Sequence, residues 1–294
     1  MTRQVPPGTL ARMPGSPPDL PDLETLELRR DGPVAWLRLD RPDKLNSFTV
    51  RMWHELRELG RRIHDDETIR ALVVIGKGRA FSSGIDTTVF TGGATDESLR
   101  AGPDAGTRHA DPVVDGILRA QESYSWLETA RYPTIAAVHG YALGAGLQLA
   151  LACDLRVFAR GTQVGLLEHR YGILPDLGGT QRLPRVVGAG KAKELIWTAA
   201  RIDAEEAYRI GLCERIVDAE HLEEEAGALA AVIAGQPPLA VQGAKRAVAA
   251  AARLPVAEGL VVEAEEQAVC LRSADMREAI TAFVEQRTPR YQGR

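Results

Sequence analysis

Cysteine is scarce in this chain: Cys153, Cys213 and Cys270 are the only three, scattered without metal-ligand spacing. So odd and sparse a set excludes a disulfide-stapled secreted scaffold and a cysteine-held metal, and fits reduced thiols in a cytoplasmic protein. Positive charge is not in excess either. Lys and Arg number 36 against 40 Asp and Glu, a net charge of −4, without the basic stripe that a nucleic-acid surface needs. Local basic spots for an anionic ligand are still allowed. Long apolar runs are missing as well. The longest, 143–152, is broken by Gly and Gln and is too short to span a bilayer. The first residues show no charged start leading into an apolar stretch, so no secretory signal is expected. What is present is a 294-residue, 45% hydrophobic chain with enough apolar material for a substantial core.

Residues 1–22 carry Pro6, Pro7, Pro14, Pro17, Pro18 and Pro21 and read as a disordered or loosely draped arm. Leu26 and Leu28 then alternate with polar residues, Asp31-Gly32 makes a turn, and 34–39 returns, predicting a β-hairpin. Thr49 is placed to cap a helix running to about Asp65, with Met52, Leu56, Leu59 and Ile63 along one face. Segments 71–75, 134–139 and 155–159 read as strands, 113–130 and 145–152 as helices, and glycine-rich 91–112 as a mobile loop. Such strand–helix alternation implies a largely parallel sheet. Past about Lys191 the chain turns Ala-, Glu- and Leu-rich, with helices broken at Gly211, Pro237-Pro238 and Pro255, and a strand-like 212–217. The division is therefore an arm over 1–22, an α/β core over 23–200 and a helical region over 201–294.

Two segments share one logic. Ala80-Phe81-Ser82-Ser83-Gly84-Ile85-Asp86 follows a strand, and so does His139-Gly140-Tyr141-Ala142-Leu143-Gly144-Ala145-Gly146, which leads into a helix. Glycine there lets a ligand approach the backbone closely, and the next residue can turn its N–H into a cleft. At the second turn the helix N-terminus adds partial positive charge. Two such donors on one oxygen make an oxyanion hole. Either turn alone is equally well read as an ordinary β–α connection.

These segments stand in a longer series. It includes Arg41-Pro42-Asp43-Lys44-Leu45-Asn46-Ser47, Gly78-Arg79 before the first turn, Pro133-Thr134-Ile135-Ala136-Ala137-Val138 before the second, Cys153-Asp154-Leu155-Arg156, Gly178-Gly179-Thr180-Gln181-Arg182-Leu183-Pro184 and Ala282-Phe283-Val284-Glu285-Gln286-Arg287. In this order, from about residue 25 to the end, the series resembles the enoyl-CoA hydratase/isomerase family, the crotonase superfamily. The resemblance implies an α/β fold, a spiral of ββα repeats with a C-terminal helical trimerisation region, assembled as a homotrimer or as a hexamer of two trimers. It implies coenzyme A thioester substrates, as in fatty-acid metabolism, with no metal and no redox cofactor. By position, Ile85 and Ala145 supply the oxyanion N–H groups. Ser83, Gly84, Ile85, Asp86, Thr87 and Gly144 lie along the CoA, and Lys44 is near its phosphates. Where the family's C-terminal helix sends a lysine to a neighbouring subunit's CoA, this chain has Gln286, with Arg287 beside it.

The acids decide the reaction. Hydratases of the family place a glutamate at each of two positions; here the first reads Gln148, which cannot carry a proton away, and the second reads Glu168. Asp176 follows eight residues on. The family's dienoyl-CoA isomerases have a Glu and an Asp at this spacing, plus a third acid where Gln148 stands. One carboxylate suffices for a double-bond shift, so isomerisation with Glu168 as proton shuttle ranks ahead of water addition, and a thioester-binding protein with little catalysis ranks third. A serine hydrolase lacks its Ser–His pair, and a Rossmann dehydrogenase lacks its fingerprint. Against each acid stands a plainer reading: Glu168 as a solvated loop charge, Asp176 as the cap of the following helix. His139 and His169 draw no catalytic role, Cys153 reads as packing, and Lys191, Lys193 and Lys245 as decoration of exposed helix faces.

Overall fold

The computed structural model describes residues 23–91 and 108–294. The arm over 1–22 and most of the 91–112 loop lie outside the described residues. The Asp31-Gly32 turn joins β1 (Leu26–Asp31) to β2 (Val34–Leu39) in antiparallel register, Leu28 opposite Leu37, with Gly32 at φ +56°. Thr49 caps α1 (Val50–Ile63), its hydroxyl accepting the Met52 N–H at 3.3 Å. The chain continues through β3 (Ala71–Gly76), a short α2 (Thr88–Thr91), α3 (Pro112–Thr129), β4 (Thr134–Val138), β5 (Tyr141–Leu143), α4 (Ala145–Ala152), β6 (Leu155–Ala159) and β7 (Gln163–Gly165). Then follow α5 (Gly179–Val187), α6 (Ala189–Thr198), β8 (Ile202–Asp203), α7 (Ala204–Arg209), β9 (Arg215–Val217), α8 (Leu222–Ala234), α9 (Pro238–Ala251), α10 (Val256–Arg272) and α11 (Ala274–Val284).

Six strands form one sheet in the order β1-β2-β3-β4-β6-β9, parallel after the first pair. Strand β3 is buried along its whole length, which is why it reads as an unbroken apolar run rather than an alternation. Its Leu72 and Val74 join the main core with α1 and α3, whose buried side chains include Leu56, Leu59, Tyr124 and Leu127. Val73 and Ile75 belong to a second core, closed by Leu222, Ala226, Ala230 and Ala234 at a four-residue spacing along α8. The strand-like 212–217 segment narrows to β9, and Leu212 and Cys213 are buried before it. A small second sheet, β5-β7-β8, was not visible in the residue pattern. Helix α10 has no buried residue, and Val256, Leu260 and Val261 on it, with Phe283 on α11, are exposed. Among the described residues no helix is long and apolar enough to cross a membrane.

Candidate active site

The two glycine turns lie against each other. The Ser82 N–H donates to Tyr141 O at 2.8 Å and the Leu143 N–H to Ser82 O at 3.0 Å, forming a parallel bridge between the segments. Gly84 takes φ +104°, and Gly144 takes φ +50° with ψ −119°, backbone regions that L side chains resist. The approach is close: a Cβ on Gly84 would stand 3.0 Å from Leu143 O and 4.0 Å from Ala145 N. The residues that follow keep spare amides. Phe48 donates to Gly84 O and accepts from Asp86, at 2.7 and 2.9 Å, so this bridge passes over the Ile85 N–H. Ala145 opens α4, where first-turn N–H groups have no intrahelical acceptor. Among the described residues neither amide has an acceptor.

Buried polar residues hold the first turn. Ser82 Oγ donates to Asn46 O at 2.8 Å and accepts the Gly84 N–H at 3.2 Å. Asn46 donates to Lys77 O and Ala80 O at 2.9 and 2.8 Å, and accepts the Arg41 N–H at 2.8 Å. Its φ of +52° is one that asparagine tolerates better than most residues. Asp86 accepts from the Thr88 amide and hydroxyl, Arg41 and Ser47. Although burial works against ionisation there, these bonds hold its carboxyl at about 2. Asp86 therefore spends its charge on the turn itself. Lys44 is exposed at the end of a 3₁₀ turn, Pro42–Lys44, next to Leu45, whose carbonyl accepts the Ser83 N–H at 2.9 Å. Lys44 is thus one residue from the backbone bond that holds Ser83, and Thr87, four residues past Ser83, is exposed. Among the described residues no bond joins Arg287 to this segment; it pairs with Glu278 and Glu285 near the C-terminus.

The acid side reaches the second turn. Glu168 begins a 3₁₀ turn, Glu168–Tyr171, and is only 5% exposed, so it is not a solvated loop charge. A Cβ on Gly144 would lie 3.2 Å from its Oε1. Gln148 Nε2 donates to that oxygen at 2.7 Å, while Oε2 is buried with no partner among the described residues. The carbonyl end of Gln148 accepts the Gly179 N–H at 2.9 Å. Burial pushes the Glu168 carboxyl up to about 7, with Asp176 adding repulsion and the Gln148 bond pulling the other way. A carboxyl balanced near neutrality is suited to taking a proton and giving it back. Asp176 is half-buried and also raised by burial. It does not cap the helix it precedes: α5 starts from Gly178 with no side-chain cap of its own, and the Gly179 and Thr180 N–H groups donate instead to Gln148 Oε1 and Pro175 O, at 2.9 and 3.4 Å.

The remaining candidates separate cleanly. His139 lies within 3.0 Å of Gly78 O through Nε2, and burial lowers its pKa; His169 is exposed. Cys153 is buried and its thiol is pushed up to about 12, as packing implies. Lys191 pairs with Glu194, and Lys193 lies over Trp197. Lys245 corrects its expectation: its side chain is 9% exposed and donates to Leu127 O, Tyr132 O and Asp154 at 2.8–3.1 Å, pinning α9 to the core. A lysine on an Ala-rich helix gives no sign of its partners in the residue pattern.

Residues 29–294 match the family model described as enoyl-CoA hydratase/isomerase. The crotonyl-CoA hydratase of Syntrophomonas wolfei is 32% identical over 265 residues, covering 90% of this chain and 96% of that protein. The 1,2-epoxyphenylacetyl-CoA isomerase of Escherichia coli is 34% identical over 264 residues, covering 89% and 95%. A chain from Thermobifida fusca, solved in complex with acetoacetyl-CoA, superposes with a TM-score of 0.75 at 36% identity, covering 87% of this chain and 99% of that one.

Proposed function

The chain belongs to the enoyl-CoA hydratase/isomerase family, with its crotonase fold, and is an acyl-CoA enzyme; from that premise we propose that it moves a double bond in an enoyl-CoA, with Glu168 carrying the proton. The observation that carries this reading is Glu168 itself: a buried carboxyl against the Gly144 turn, with one oxygen unpartnered among the described residues and an amide, not a second acid, beside it. The thioester oxygen is to sit between the Ile85 and Ala145 N–H groups. Glu168 takes the α-proton of a 3-enoyl thioester, and the electron pair spreads through the dienolate onto that oxygen. The same carboxyl returns the proton to the γ-carbon, giving the conjugated 2-enoyl product. Each amide acting on the oxyanion is worth about 3–4 kcal/mol of transition-state stabilisation. These steps call on no metal or redox cofactor. Asp176 serves as a second proton site when the substrate's conjugation is longer.

Lys44, Ser83, Gly84, Asp86, Thr87 and Gly144 form the proposed CoA rim, and Arg287 is proposed to reach a neighbouring subunit's CoA. The apolar exposed side chains of α10 and α11 support assembly as a homotrimer or a hexamer. The three free cysteines fit a cytoplasmic setting. A second reading, water addition to a 2-enoyl-CoA, is favoured by the name of the Syntrophomonas relative, and a single carboxyl near neutrality can pass a proton from water to the α-carbon. One experiment separates them: a panel of 3-enoyl- and 2-enoyl-CoA substrates of varied length, with products identified by mass. Conjugation without mass gain, abolished by Glu168→Gln, is the expected result. Gain of water alone, or full turnover by Glu168→Gln, defeats the isomerase assignment; binding without turnover on every substrate defeats both.

A further inference from the structure

Gly178 and Gly179 keep two spaces open. A Cβ on Gly178 would lie 2.0 Å from Nη1 of Arg182, and one on Gly179 would lie 3.0 Å from Oε1 of Gln148. The turn therefore runs between a guanidinium on one side and a carboxamide on the other. Arg182 is 8% exposed and its whole fork is engaged. Besides the bond to Leu177 O, Nε and Nη2 donate to the two Glu128 oxygens at 2.8 and 3.0 Å, and Nη2 to Ser125 Oγ at 3.2 Å. The turn is thereby tied to α3, and its Gly179 N–H reaches Gln148 Oε1. An amide has one accepting end and one donating end, nearly equal in size. The Gly179 N–H engages the accepting end, so the NH₂ end is the one left to face Glu168.

We propose that Arg182 is a positioning residue that, by holding the Gly178-Gly179 turn, fixes which end of the Gln148 carboxamide meets Glu168. Its consequence for turnover rests on the proton-shuttle reading above. With NH₂ against Oε1, the ionised carboxylate is favoured, and that is the form able to accept an α-proton. A reversed amide would set carbonyl against carboxylate and require Glu168 to hold its proton. The other titratable groups acting on this pocket are Asp176, from the loop that follows Glu168, and the wholly buried Tyr124 phenol of α3, which burial keeps neutral.

Isotope-edited infrared spectroscopy of glutamate carboxyls, taken as a difference against Glu168→Gln, follows the Glu168 titration in the full chain without substrate. Arg182→Lys retains the positive charge but not the fork, so a change cannot be ascribed to a lost cation. Its Glu168 midpoint is expected to rise by about half a pH unit or more, a roughly threefold change in protonation ratio, toward that of Gln148→Leu. Gly179→Ala leaves Arg182 intact and presses a methyl on Gln148, and its midpoint is expected to rise too; this variant decides the matter if Arg182→Lys does not fold. An unmoved or lowered midpoint overturns the proposal, even where melting temperature or kcat drops. A raised midpoint in a protein that isomerises no substrate sinks the reaction assigned above and leaves this proposal standing.

Discussion

Replacing Glu168 by Gln removes the carboxyl whose burial the fold opposes, and the size of that opposition follows from its titration. Burial lifts its pKa from an ordinary 4.5 to about 7, so the folded chain holds this proton more tightly than the unfolded chain. The stability that the protonated form supplies is complete below about pH 4.5 and is lost as pH rises through about 7. At 1.36 kcal/mol per unit, the total is about 3 kcal/mol, of which about 2.5 kcal/mol falls between pH 5 and pH 8. Glu168→Gln keeps the shape and loses this dependence. Urea midpoints of both proteins at pH 5 and pH 8, at one fixed protein concentration, give the double difference in which other titrating groups largely cancel. The wild type should lose about 2 kcal/mol or more relative to the variant on going to pH 8. In parallel, wild-type kcat/KM should climb about tenfold per pH unit below about 7 and level above it, since the base must be ionised. Equal pH dependence of stability in the two proteins would refute the argument, because Glu168 would then titrate alike folded and unfolded.

Gly144→Ala places a methyl at φ +50°, 3.2 Å from Glu168 Oε1, and kcat/KM should fall roughly 10²-fold or more with the fold kept by circular dichroism; undiminished turnover would take the turn out of the chemistry. Gln148→Glu adds a like charge beside Glu168 and restores a two-acid pair, so water addition to a 2-enoyl-CoA should rise at least about tenfold, followed as loss of the conjugated thioester's absorbance; no gain means that Gln148 is not what limits hydration. Lys245→Met strips the donor from Leu127 O, Tyr132 O and Asp154 and should cost about 3 kcal/mol in urea unfolding, with turnover of the folded protein preserved. Phe283→Asp, at a side chain 85% exposed in the single chain, should lower the mass seen by sedimentation, and an unchanged mass excludes that face from assembly.

The parts of the molecule readable from sequence are those where one local rule acts alone. The Gly32 turn, the Thr49 cap and the α4 boundaries each follow from a positive φ, a short hydroxyl or a helical period. The second sheet escaped because β5, β7 and β8 are two or three residues long, too short to show any period. Side-chain destinations escaped for another reason. Lys245 and Arg182 look like ordinary helix charges, and only the carbonyls at 127 and 132 and the Glu128 carboxylate, brought near by the fold, make them buried anchors. Asp176 had the right residue type and place for a cap, but the first amides of the helix already have acceptors in Gln148 Oε1 and Pro175 O. The glycines around the site were visible as glycines; what each makes room for was not.

Strand β9 and helix α8 come late in the chain yet finish what the early strands begin. Until residues 215–234 have left the ribosome, β6 lacks its outer partner, and Val73, Ile75, Ala137 and Val157 have no helix over them. A nascent chain that stops near residue 200 would therefore carry an open sheet edge beside a bare apolar face, the combination that invites pairing with another copy. Synthesis of this protein passes through a sticky interval that closes only when α8 docks, so a pause in translation while residues 215–234 are still inside the ribosome should cost soluble yield more than a pause after they have emerged.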